Sequence, residues 1–294
     1  MNAIETKGLT KSYGKARGIV GLDLNVEEGE FFGFIGPNGA GKSTTIRTLL
    51  GLIHANGGSA EVLGMDIVRQ HRDILRQVGY LPSEAVFYRG MRVREVLRFS
   101  AGLRKTDCTA EAERLCRRLE LDTEKRVEEL SFGNRKKVGI VCALQHRPRL
   151  CVLDEPTSGL DPLMQREFFS ILRERNEQGM TVFLSSHILS EVQRYCTRAA
   201  IIREGHIIAC DSVEALARTN AKRVHLQGKA DLTALRPELR DLQQTESGAS
   251  FLYGGDVRRL LQVLASQPVE DLSVSEPDLE EIFLHYYTEG GEEK

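Results

Sequence analysis

Several features that would assign the chain to a special class are missing from its 294 residues. No apolar run approaches the roughly 18 residues that a membrane-spanning helix needs. The N-terminal MNAIETKGLTKSYGK has no apolar stretch after its charges, so we do not expect a secretory signal. The 40 basic and 42 acidic side chains give a net charge of -2, so we expect no nucleic-acid partner.

Cysteine usage and composition exclude further classes. None of the six cysteines forms a CxxC pair, so we expect reduced thiols rather than a disulfide framework or a structural zinc site. Neither an internal repeat nor a low-complexity tract is present. With 41% hydrophobic and 28% charged residues, the composition is that of a soluble globular protein of one large or two modest domains.

Hydrophobic patterning predicts strands first and then a strand, loop and helix. Leu22, Leu24 and Val26 alternate with polar residues, which is typical of a half-buried strand. The segment 31–35 is almost entirely apolar, as expected of a strand covered on both faces. A glycine-rich turn follows, and a helical pattern then runs from Ser43 to Ile53.

Two later apolar runs end abruptly in polar residues. Residues 150–153 lead into Asp154-Glu155-Pro156, and residues 181–184 lead into Ser185-Ser186-His187. The segment 162–175 can form a helix that crosses over between them. Repeated strands with intervening helices predict an α/β fold with a parallel sheet, whose ligands bind outside the carboxyl ends of the strands.

The rest of the chain differs from this core in pattern. Residues 85–145 are mostly helical and rich in charge, and we expect the charged faces to be solvated. We predict a larger domain over 1–215, with 85–145 as an inserted helical subdomain, and a small α+β accessory domain over 216–294. The accessory domain begins with strand-like KRVHLQG and ends in a helix with a predicted capping box at 275–278.

Residues 36–43 fit the phosphate-binding pattern G-x-x-x-x-G-K-[ST] in full, between a strand and a helix. Glycines let successive N–H groups point at phosphate oxygens, and the helix N-terminus adds its positive end. Lys42 is expected to reach the β- and γ-phosphates, and the Ser43 hydroxyl to bind Mg²⁺. The predicted nucleotide-binding residues are Gly36, Pro37, Asn38, Gly39, Ala40, Gly41, Lys42, Ser43 and Thr44.

Two adjacent carboxylates complete the predicted chemistry. Asp154 ends a buried strand, where it is expected to hold Mg²⁺ directly or through a water molecule. Glu155 follows it and is placed to accept a proton from the attacking water.

These motifs together resemble the ATP-binding-cassette (ABC) ATPases over roughly residues 4–217. Residues 153–162 look like the Walker B and D-loop segments, and residues 130–134 (LSFGN) resemble the signature motif. The resemblance implies a P-loop NTPase core, an antiparallel β subdomain near the N-terminus and an inserted helical subdomain. The tail VSEPDLEEIFLHYY is similar to that of ATPase subunits of exporters related to the bacitracin and daunorubicin pumps.

The resemblance also implies partners and residue roles. Two cassettes, as a homodimer or heterodimer, would enclose ATP head to tail, with Ser131 and Gly133 of one contacting the γ-phosphate held by the other. Asp161 would cross that interface, His187 would contact the γ-phosphate, and Tyr13 would stack on adenine. A separate polytopic membrane subunit would bind the cassette at the cytoplasmic face of the membrane, and ATP-driven dimer closure would drive export.

The chain departs from the family pattern at three positions. Ser83 replaces the glutamine that contacts Mg²⁺, and its side chain is too short to make the same contact, so we expect slower or more loosely coupled hydrolysis. Phe132 and Asn134 replace a glycine and a glutamine of the signature motif. The cations at 135–137 either support phosphate charge or are solvated.

Two alternatives from other classes stay open at this point. A cassette without a membrane span also suits a soluble ABC ATPase of an assembly or repair complex. A P-loop kinase would share the phosphate loop, although the signature motif and His187 argue against it.

Overall fold

The computed structural model describes residues 1–14, 16–217, 222–245 and 247–275. The chain divides into two compact units, residues 1–213 and 214–294. The strands are β1 (Asn2–Tyr13), β2 (Ala16–Glu27), β3 (Phe31–Ile35), β4 (Gly57–Val62), β5 (Met65–Asp66), β6 (Val78–Leu81), β7 (Leu150–Asp154), β8 (Thr181–Ser186), β9 (Arg198–Arg203), β10 (His206–Ser212), β11 (Lys222–Gly228), β12 (Leu239–Thr245), β13 (Gly248–Tyr253) and β14 (Val269–Ser275). The helices are α1 (Lys42–Leu49), α2 (His71–Gln77), α3 (Val93–Arg104), α4 (Thr109–Arg118), α5 (Phe132–Leu144), α6 (Pro162–Glu177), α7 (Leu189–Tyr195), α8 (Val213–Ala217) and α9 (Val257–Ala265), with 3₁₀ turns at Val127–Glu129 and Thr233–Glu238.

A six-stranded sheet forms the core of the first unit, in the order β10-β9-β3-β8-β7-β6. All pairs are parallel except β10 with β9. Every residue of β3, β7 and β8 is buried, which explains why these strands read as continuous apolar runs. The predicted parallel α/β sheet is confirmed, and the carboxyl ends of its strands meet at one edge.

An antiparallel sheet of order β2-β1-β4-β5 lies in the same unit. Leu22, Leu24 and Val26 on β2 are buried and the residues between them are exposed, as the alternation predicts. These side chains belong to one apolar cluster with Phe34 of the six-stranded sheet and Ile46 of α1. Burial of one sheet face against this cluster fixes the register of the strands.

Helix α1 is shorter than predicted, because it ends at Leu49 rather than at Ile53. Gly51 adopts the left-handed conformation (φ 66°), its N–H bonds Thr48 O, and the Leu52 N–H bonds Arg47 O. This pair of bonds is a Schellman motif, in which the helix ends at Leu49, Leu50 is the C-cap residue and the left-handed glycine follows. The prediction ran past Gly51 because Leu52 and Ile53 continue the apolar pattern after it.

Helices α3, α4 and α5 make up most of the inserted segment. The apolar side of α4 is buried, and Leu115 and the C-cap residue Leu119 are fully inaccessible. The expectation that the charged faces are solvated is wrong at Glu111, which is only 7% exposed. Its carboxylate accepts hydrogen bonds from Arg114, Arg147 and Arg175, and the last of these lies on α6. An ion-pair network therefore joins α4 to the core.

The second unit is built on an antiparallel sheet of order β12-β13-β11-β14. The predicted strand KRVHLQG is confirmed as β11, and its Val224 and Leu226 pack with Phe251 and Leu260 in a separate apolar cluster. Ser275 ends β14, so the predicted capping box starts on a strand residue. The rest of that box and the helix after it lie outside the described residues.

Candidate nucleotide-binding site

The phosphate loop connects β3 to α1 at the carboxyl edge of the parallel sheet. Gly39 and Gly41 have φ values of 81° and 114°, which L side chains rarely adopt. A Cβ atom on Gly36 would stand 2.4 Å from the backbone oxygen of Ile202. The glycines of the pattern are therefore required by the path of the chain.

A cavity of about 340 Å³ opens above this loop. The backbone at the N-terminus of α1 carries a partial positive charge, so the cavity suits a phosphate chain. Its walls come from the loop, from the segment after β6 and from the end of β7: Pro37, Asn38, Gly39, Gly41, Lys42, Ser43, Thr44, Ser83 and Glu155.

Lys42 is 6% exposed and reaches across the loop. Its ammonium donates hydrogen bonds to the carbonyl oxygens of Gly36 and Pro37, the second at 3.2 Å. The same ammonium lies 3.2 Å from Glu155 Oε1. A single cation thus bridges the phosphate loop and the carboxylate proposed as the base.

Glu155 is held at both its backbone and its side chain. Its φ of 49° lies in the left-handed region, and its N–H donates to Ser185 O on β8 (3.0 Å). Glu155 Oε2 lies 2.6 Å from His187 Nδ1. The structure therefore brings together the three side chains predicted to act in hydrolysis, Lys42, Glu155 and His187.

Asp154 is fully buried at the end of β7. Its Oδ1 accepts a hydrogen bond from the Ser185 hydroxyl (3.2 Å), and its Oδ2 has no hydrogen-bond partner among the described residues. An unpaired buried carboxylate oxygen fits a cation ligand. No group of three or more His, Cys, Asp or Glu side chains suits a metal ion in the described ranges. One carboxylate and one hydroxyl, completed by phosphate oxygens and water, is nevertheless a usual environment for Mg²⁺.

The signature segment begins α5. Ser131 is the N-cap residue, and its hydroxyl accepts the Asn134 N–H at 3.3 Å. A Cβ on Gly133 would come within 2.4 Å of Gly159 O, and one on Gly159 would come within 2.2 Å of the Phe132 ring. The phenylalanine that replaces a glycine of the family pattern therefore packs on the D-loop glycine.

The remaining predicted residues do not line the cavity. Asp161 caps α6 by accepting the N–H groups of Leu163 and Met164, both at 3.0 Å. Tyr13 ends β1 with 46% of its surface exposed, and Lys11 Nζ lies 5.2 Å from its ring centroid.

Lys136 is the residue at this edge that sequence reasoning missed. Of the two alternatives left open for this cation, the solvated side chain is wrong, because Lys136 is 2% exposed. Its ammonium donates to Pro82 O, Ser83 O and Glu155 O at 3.1, 2.8 and 2.9 Å. Burial lowers the pKa of Lys136 to about 8, against the opposing effect of the Asp154 and Glu155 carboxylates.

Comparisons with known proteins agree with this geometry. The family described as "ABC transporter" matches residues 19–158. The bacitracin transport ATP-binding protein BcrA of Bacillus licheniformis is 34% identical over 297 residues, which cover 96% of each chain. The chain belongs to the ABC transporter family. The P-loop kinase alternative is therefore wrong, and the protein is an ATP-binding ABC transporter ATPase subunit.

Two further similarities concern mainly the ABC ATPase domain. The linearmycin resistance ATP-binding protein LnrL of Bacillus subtilis is 34% identical over 70% of this chain and 68% of its own. The solved structure of an ATP-binding subunit of an ABC transporter superposes with a TM-score of 0.69 at 32% identity, over 74% of this chain and 92% of that one.

Proposed function

We propose that this ABC ATPase hydrolyses ATP in a closed head-to-tail dimer and thereby drives export through a separate membrane subunit. The contact of Glu155 with both Lys42 and His187 beside the phosphate loop carries the proposal, because it puts a base, a phosphate-binding cation and an orienting histidine in one place. The names of BcrA and LnrL, which refer to bacitracin transport and linearmycin resistance, support the direction of transport.

The hydrolytic step uses groups on the cavity wall. The γ-phosphate would draw the Lys42 ammonium away from Glu155, which leaves the carboxylate free to accept a proton. Water then attacks the γ-phosphorus in line, its proton passes to Glu155, and the bond to the ADP oxygen breaks. His187 would hold the γ-phosphate and the carboxylate in register. Ser43 and Asp154 would hold Mg²⁺, which neutralises phosphate charge when bound.

The second half of the site would come from a partner cassette. The N-terminus of α5, capped by Ser131, offers N–H groups to an anion, and Gly133 lets the phosphate approach the backbone. We propose that this end binds the γ-phosphate held by the other cassette, that Asp161 crosses the interface, and that Tyr13 stacks on adenine. Ser83 would reach the metal only through a water molecule, because its side chain is short.

An exposed apolar surface on the helical segment supports a membrane partner. Phe99 and Leu103 lie four residues apart on α3, and Tyr88 packs edge-on against Phe99 with ring centroids 6.0 Å apart. Tyr88 is 70% exposed and Leu103 is 65% exposed. Among the described residues no helix has the length and apolar character to cross a membrane. We propose that this surface binds the membrane subunit at the cytoplasmic face of the membrane.

We also propose that residues 1–215 are the ATPase domain, with 85–145 as its helical subdomain, and that residues 216–294 are an accessory domain.

Substitution of Glu155 tests the hydrolytic proposal. Glu155→Gln should bind ATP, dimerise in its presence by light scattering, and release phosphate at least 100-fold more slowly than wild type. Lys42→Ala is the matched control, and it should lose nucleotide binding itself. Near-normal turnover by Glu155→Gln, or undiminished ATP affinity of Lys42→Ala, would contradict these roles.

A further inference from the structure

Lys136 links two loops that approach the nucleotide cavity from neighbouring strands. Pro82 and Ser83 follow β6, and Glu155 follows β7, which is paired with β6 in parallel. The three hydrogens of the ammonium are matched by three backbone carbonyl oxygens, at 2.8 to 3.1 Å. The side chain therefore acts as a fixed brace between the loops.

The brace ends on a residue whose backbone is strained. A left-handed φ at a residue other than glycine is strained and persists only where neighbours enforce it. At Glu155 the N–H is fixed by Ser185 O, and the carbonyl oxygen is fixed by Lys136. With both backbone groups held, the direction of its Cα–Cβ bond is set, and with it the approach of the carboxylate to the cavity.

An uncharged, apolar side chain of similar size could fill the volume that the Lys136 side chain occupies. Removing an ammonium from water is unfavourable, and an apolar side chain of similar size is often neutral or stabilising in such a place. Three charge-assisted hydrogen bonds offset that cost only while all three carbonyls stay in position. The cation therefore favours one arrangement of the two loops over others.

We propose that Lys136 is a positioning residue for ATP hydrolysis, which orients Glu155 by holding its backbone carbonyl against the 82–83 segment. The inference rests on the proposed role of Glu155 as the base. Lys136 also lies on α5, the helix that begins at the signature segment, so a shift of this helix would reach Glu155 through a single hydrogen bond.

Lys136→Met and Lys136→Gln separate this role from packing. Methionine fills the volume without donors, whereas glutamine removes the charge but keeps two N–H groups. Lys136→Met should lower kcat by roughly 10- to 100-fold, because displacement of a catalytic group by about 1 Å costs this much. The Kd for a fluorescent ATP analogue should change less than about twofold. Lys136→Gln should retain an intermediate kcat.

A double-mutant cycle tests whether Lys136 acts through Glu155. In the Glu155→Gln background, single-turnover hydrolysis of radiolabelled ATP should fall less than about twofold further on Lys136→Met. An equal fold loss in both backgrounds, or a weaker Kd with unchanged kcat, would overturn the proposal. If Lys136→Met does not fold by circular dichroism, Lys136→Gln enters the cycle with the same criteria. Near-wild-type turnover by Glu155→Gln alone would instead refute the assigned base, and so separates the two failures.

Discussion

Replacement of Glu111 by glutamine removes a buried negative charge that accepts hydrogen bonds from three arginines: Arg114 on α4, Arg147 after α5 and Arg175 on α6. Burial raises the pKa of Glu111, but hydrogen bonds from Arg175, Arg114 and Arg147 outweigh it and lower the pKa from 4.5 to about 2. Such a difference corresponds to about 3 kcal/mol at neutral pH. Arg147 is 68% exposed and screened by solvent, so we expect Glu111→Gln to cost about 2 kcal/mol.

The lowered pKa of Glu111 also determines how its contribution to the free energy of unfolding depends on pH. Because the folded pKa lies below the ordinary value, the stabilisation is complete above about pH 5 and is lost as the pH falls towards 2. By linkage, roughly three quarters of it should remain at pH 4 and less than about half at pH 3.

Urea unfolding followed by circular dichroism at pH 7, 4 and 3 measures this difference between Glu111→Gln and wild type. Glu113→Gln, an exposed position on the same helix, is the matched control and should change stability by less than about 0.5 kcal/mol. A Glu111→Gln variant as stable as wild type at pH 7, or a difference that does not shrink with acid, would refute the reasoning.

Three further substitutions test other parts of the site. Ser83→Gln should raise the ATPase rate or its coupling, and a steady-state assay that finds neither changed would disprove this expectation. Gly159→Ala places a Cβ 2.2 Å from the Phe132 ring at a φ of 81°, so it should lower the melting temperature by several degrees, whereas Gly102→Ala in α3, where nothing lies within 4 Å, should not. Asp161→Ala should lower the free energy of unfolding by about 1 kcal/mol, because it removes the N-cap of α6, whereas Asp161→Asn keeps the cap. Slow hydrolysis by a stable Asp161→Asn variant would support the interface role, and full activity would argue against it.

The features that could be predicted from the sequence are those formed by residues that are neighbours in the chain. The phosphate loop needs glycines at fixed offsets between a strand and a helix, and Asp154 ends a buried strand that Glu155 follows directly. Such features depend on local backbone geometry, so a short stretch of sequence contains nearly all the information about them.

The parts that were missed depend on contacts between distant segments. Lys136 lies in a run of three cations, and its burial is caused by carbonyl groups 53 and 54 residues earlier and 19 residues later. Glu111 lies on a charged helix face and is buried by Arg175, 64 residues away. In the second unit, strands β12 and β14 are polar on most positions, so hydrophobic periodicity gave no signal for them.

The central claim, that this ATPase works with a separate membrane subunit, is tested most directly by co-purification. The tagged chain would be recovered from its native cell after the membranes are dissolved in mild detergent, with Tyr88→Glu on the exposed apolar surface as the matched variant. We expect a polytopic membrane protein to co-purify at comparable stoichiometry with the wild-type chain and in much smaller amount with Tyr88→Glu. Recovery from the soluble fraction alone, with only soluble partners, would contradict it and favour a non-transport ABC ATPase.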